Sequence, residues 1–128
     1  MALGSASLAT AGSASAATHD NGVMEQGEFG MYYNSYQGGC VFDLFNADGN
    51  FSGNYFKTGP YRSSCGGMGE STNDNTASFH NWDNYTWHVF TDSSGGGVHG
   101  WLDSGIKGNF STNFKNEVSS AYWYNPYS

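Results

Sequence analysis

Apolar and aromatic residues fall along this chain in short runs, broken by glycine and asparagine. The runs that fit strands are Gly30 to Tyr33, Cys40 to Phe45, Tyr55 to Lys57, Ala77 to His80, Trp87 to Thr91, Val98 to Leu102 and Val118 to Trp123. Each is rich in β-branched or aromatic side chains and is bounded by turn formers. No stretch long enough for a helix keeps an apolar period of 3.6, so helix is expected only as a turn near Asn109 to Phe114. Short strands of this kind can each bury one face only if two antiparallel sheets pack against each other. The pattern predicts an all-β sandwich.

The chain also repeats itself. MYYNSYQGGCVFDL, Met31 to Leu44, overlays VFTDSSGGGVHGWL, Val89 to Leu102, at an offset of 58. Asn50-Phe51-Ser52 then matches Asn109-Phe110-Ser111 at 59, and the polar motif Asp74 to Ser78 matches Lys115 to Ser120 at 41. The drop in offset marks an insertion in the first half, residues 57–73. Repeat one is read as 29–80 and repeat two as 86–123, inside one domain of 29–128 that follows a flexible segment, 17–28.

Composition sharpens this picture at three points. Four Trp, nine Tyr and nine Phe in 128 residues make the core aromatic, since each ring buries far more area than an aliphatic side chain. Charged residues are 12% of the chain, about half the usual share, and Lys57, Arg62, Lys107 and Lys115 face eleven carboxylates. No basic surface exists to neutralise phosphates, which excludes nucleic-acid binding. Residues 1–16 hold only small or weakly apolar side chains after Met1 and end on Ala14-Ser15-Ala16, which reads as a cleaved export segment. No run approaches the ~20 apolar residues of a membrane span. The mature chain is therefore expected to be secreted.

In an exported chain the isolated pair Cys40 and Cys65 reads as one disulfide, and it would pin the insertion against a strand edge. His19, His80, His88 and His99 show no metal-ligand spacing, and no nucleophile motif is present. Nothing selects a catalytic pair among the carboxylates, so no enzyme is expected.

Two motifs carry a family resemblance. The hairpin Tyr32-Tyr33-Asn34-Ser35-Tyr36-Gln37-Gly38, within Gly27 to Gly39, is followed by the loop Asp74 to Phe79, and weaker copies run over Phe90 to Gly96 and Lys115 to Ser120. Together these resemble the secreted bacterial βγ-crystallin-like proteins grouped as a peptidase inhibitor family, over residues 27–123. The resemblance implies a βγ-crystallin-like Greek-key β-sandwich built from two duplicated motifs. It also implies calcium held by loop carbonyls and hydroxyls, placed here on Asp74, Asn75, Thr76, Ser78, Asn116, Glu117 and Ser119. Lys115, Phe79 and Ser94 depart from the family pattern.

The function expected is a secreted binding protein, a peptidase inhibitor that docks a rigid loop on an extracellular protease. Trp82, Asp83, Asn84 and Tyr85, in the segment joining the two halves, form the contact loop expected from their exposed aromatic and polar character. The alternatives are a calcium-binding structural module and a toxin-like or carbohydrate or cell-envelope-binding module.

Overall fold

A computed structural model describes residues 17–127; the export segment read at 1–16 lies outside them. The strands are β1 Phe29–Asn34, β2 Gly38–Leu44, β3 Ser78–Asn81, β4 Trp87–Phe90, β5 His99–Leu102, β6 Lys107–Asn109 and β7 Ser120–Tyr122, with a 3₁₀ turn at Ser93–Gly95. They form two antiparallel sheets of order β2-β1-β3-β6 and β5-β4-β7.

Alternation along β1 and β2 sets the layers. Phe29, Met31, Cys40, Phe42 and Leu44 point into a core shared with Trp87, Val89 and Val118, while Gly30, Tyr32, Val41 and Asp43 fall on the opposite face. Aromatic rings bind the two sheets together. Phe29 stacks on Trp87 with centroids 5.0 Å apart, and Phe42 meets Phe51 edge-on at 4.9 Å.

The third element of each repeat crosses to the other sheet. β6, from the second repeat, pairs with β3 of the first, and Asp48 of the first repeat bridges to Ala121 in β7. Phe51 N–H donates to Ser119 O and Phe110 N–H to Ala77 O, the same bond made in both directions. This exchange is the Greek key.

Three sequence expectations need adjustment. Tyr55 to Lys57 makes only a bridge, Tyr55 to Ser71, because Phe56 is buried and its backbone bonds to Glu70 and Gly69 in the insertion. β6 escaped notice because Lys107-Gly108-Asn109 has no apolar side chain to show period two; pairing with β3 makes it a strand. The flexible segment 17–28 lies bonded to the first sheet: Asp20 N–H reaches Asp43 O, and Gly27 N–H reaches Trp82 O. Gly22 is needed there, since at φ +79° a Cβ would lie 2.7 Å from Lys57 O.

Cys40 and Cys65 form the disulfide, with Cα atoms 5.1 Å apart. Cys40 N–H donates to Gly66 O at 2.8 Å, so the insertion is fastened by backbone and sulfur at one point.

Candidate functional site

The two polar loops cross at the waist of the molecule. Asp74 and Asn116 both take positive φ, 56° and 59°, and each donates its N–H across the crossing, Asp74 to Val118 O at 3.0 Å and Asn116 to Thr76 O at 2.8 Å. This reciprocity makes Asp74 the counterpart of Asn116, an offset of 42 instead of 41.

The serines confirm that register. Ser78 Oγ accepts from Gln37 N–H and donates to Asn34 O; Ser120 Oγ accepts from Gly95 N–H and donates to Asp92 O. Each buried hydroxyl locks the turn of its own repeat's hairpin. Ser78 is thus committed to the fold, and its place as a calcium hydroxyl must be given up. The carbonyl of Thr76 is likewise engaged by Asn116.

The register also decides which crossing can hold a cation. Ser119 Oγ donates to Asp74 Oδ1 at 2.7 Å, so these two oxygens converge, with Asn75 next in the chain. On the other side Ala77 stands where Ser119 does, and Lys115 lines the same groove as Asn75, Ala77 and Asn116. A hydroxyl is missing there and an ammonium is present. Of the two crossings, the Asp74–Ser119 side is the one where two side-chain oxygens meet; Glu117 is exposed.

The loop joining the repeats is held by side chains. Asn81, fully buried, donates through Nδ2 to Tyr85 O and Leu102 O, and its Oδ1 accepts from Asp83 N–H. Asp83 Oδ1 accepts from Asn84 N–H, its Oδ2 accepts from Trp87 Nε1, and its carbonyl accepts from Ser104 Oγ. Trp82 and Tyr85 remain 44% and 55% exposed. Tyr85 packs on Trp123 at 5.3 Å and Trp123 on Tyr124 at 4.9 Å. Beside them lies a groove of about 210 Å³ bordered by Gly27, Phe45, Asn46 and Asp83.

His88 and His99 are neighbours, with Nδ1 and Nε2 2.8 Å apart. Burial, and then the charge of His99, hold His88 below the usual imidazole range. Neither histidine belongs to a cluster of three or more ligating side chains among the described residues.

A feature absent from the sequence reading lies under the N-terminal segment. Glu28 and Asp43 are fully buried together and Glu25 joins them. Burial, then the Asp43 charge, pushes Glu28 up to about 8, and burial raises Asp43 despite the N–H groups of Asn21 and Gly22 on its oxygens. The sign follows from proton linkage. The folded state holds protons that the unfolded chain releases near pH 4.5, so this stability is complete below that pH and lost as pH rises towards about 8. In chelator, melting temperature is expected to fall between pH 5 and pH 8. Glu28→Gln should flatten that slope and melt above the parent at pH 8; an unchanged slope in thermal melts would refute the assignment.

The structure aligns with a solved structure from work on the evolution of the eye-lens βγ-crystallin domain fold, with a TM-score of 0.59 and 18% identity, over 76% of this chain and 84% of that one. This chain has the βγ-crystallin domain fold. No family model matches it, and no curated protein does. The crossed loops, paired serine locks and exchanged third strands are how this sequence builds the βγ-crystallin fold. A disulfide in so small a βγ-crystallin domain is consistent with an extracellular location.

Proposed function

We propose that the chain is a secreted binding module that docks through the loop Asn81 to Thr86 and the adjoining rings of Trp123 and Tyr124, with an extracellular protease as its target. The observation that carries this reading is the immobilised loop: Asn81 and Asp83 hold its backbone at several points while Trp82 and Tyr85 face solvent. A preorganised loop loses little entropy on docking, and Trp and Tyr are the side chains that most often carry binding energy at interfaces. Protease as the target class rests on the family resemblance of the two hairpin motifs.

Inhibition of a panel of secreted serine and metalloproteases tests this. Trp82→Ala and Tyr85→Ala should each weaken inhibition about 30-fold, a hot-spot loss of ~2 kcal/mol, and leave the melt nearly unchanged. Full inhibition by both variants, or none by the parent chain, would remove the proposal.

A second reading, a calcium-binding module, is favoured by the convergence of Asp74 and Ser119 across the loop crossing. On this reading one ion would sit at the crossing, with Asp74 and Ser119 as its side-chain donors.

A further inference from the structure

We propose that Glu25, Glu28 and Asp43 form a second divalent-cation site, of calcium type, which clamps the N-terminal segment onto the first sheet. One carboxylate oxygen from each residue lies within 4.8 Å of the others. Oxygens around calcium at 2.3–2.6 Å can be at most about 5 Å apart, so the three fit on one coordination sphere.

The observation that points to a ligand is Glu28. It is 0% exposed; Oε1 accepts from Glu25 N–H at 2.8 Å, and no donor outside the carboxyl cluster reaches Oε2. Buried carboxylate oxygens are paired or coordinate metals. No lysine or arginine supplies the pairing: among the described residues the one ion pair is Lys57 with Asp20, at 3.3 Å. The donors are all hard oxygens, without histidine or cysteine, which selects calcium over zinc. Magnesium, which keeps several waters, suits so buried a carboxylate poorly.

The surrounding bonds explain what an ion would fasten. Asp43 takes the N–H groups of Asn21 and Gly22 at 3.0 and 2.8 Å, and Glu25 Oε1 takes that of Thr18 at 3.0 Å. Asp43 projects from β2 on the face away from the core. The ion would join residues 18–28 to the sheet at the position where both are most negative.

The test is a thermal melt of the oxidised full chain at pH 8, in EDTA and in CaCl₂, with Glu28→Gln and Ser119→Ala alongside. Calcium at 100 times its dissociation constant should raise the parent's melting temperature by several degrees. Ser119→Ala, altered only at the crossed loops, should keep a shift from this site. Glu28→Gln should lose it; because this variant removes a buried charge without changing shape, its melt in EDTA should be no lower than the parent's. No shift in the parent up to about 10 mM CaCl₂, ten times the weak end of extracellular calcium sites, overturns the proposal. So does a shift that survives Glu28→Gln and vanishes in Ser119→Ala, which would assign all calcium to the loop crossing.

Discussion

Trp87→Ala should lower stability by about 3–5 kcal/mol, the range for deleting a large buried ring. Trp87 is fully buried in β4 and stacks on Phe29 of β1, so one side chain joins the two sheets. Removing it leaves a void between layers whose backbones are fixed by their own ladders and cannot collapse into it. A small domain has only about 5–15 kcal/mol in total, so the loss is a large share. Urea unfolding followed by circular dichroism measures it. Trp87→Phe separates two roles: it keeps most of the packing and removes the Nε1 bond to Asp83. That variant should stay folded and lose docking affinity, because Asp83 organises the 81–86 loop. A loss under ~1 kcal/mol for the alanine variant would mean that the sheets do not depend on this stack.

Breaking the disulfide comes next. Cys40 and Cys65 are 25 positions apart, and releasing a loop of that size costs roughly 3 kcal/mol, on the order of 10 °C in melting temperature. Apart from the disulfide, the insertion is held mainly by backbone bonds, Cys40 N–H to Gly66 O, Phe56 N–H to Glu70 O, Gly69 N–H to Phe56 O and Thr72 N–H to Asn54 O. It contributes no strand to either sheet, and it meets the core through Cys65 and the buried Thr72. The double variant Cys40→Ala, Cys65→Ala should melt about 10 °C lower, and amide exchange should rise first around Gly66 to Glu70. Uniform exchange across both sheets would show instead that the insertion unfolds only with the whole domain.

The fold was legible because its signals are local. Runs such as Gly30 to Tyr33 and Cys40 to Phe45 are rich in aromatic and apolar residues between turn formers, and duplication shows as spacing. The crossed-loop register was not legible, because aligning Asn75 with Asn116 matches identical letters, whereas the backbone aligns residues sharing positive φ, Asp74 and Asn116. One position of slip moved Ser78 from the hairpin to the metal. The carboxylate cluster escaped for a different reason: Glu25 and Glu28 meet Asp43 only when the chain folds back. Its one local signal was an acidic residue in the apolar run Cys40 to Leu44.

The exchange of third strands sets a rule for any shorter form of this chain. A fragment ending before Trp82 would lack β6 and leave the edge of β3 open, and a fragment starting after it would lack the Asp48 and Phe51 contacts to β7 and Ser119. Neither half can satisfy its own edge. A single repeat of such a molecule could close its open edge by trading third strands with a second copy, so each half is built as one partner of a two-fold exchange.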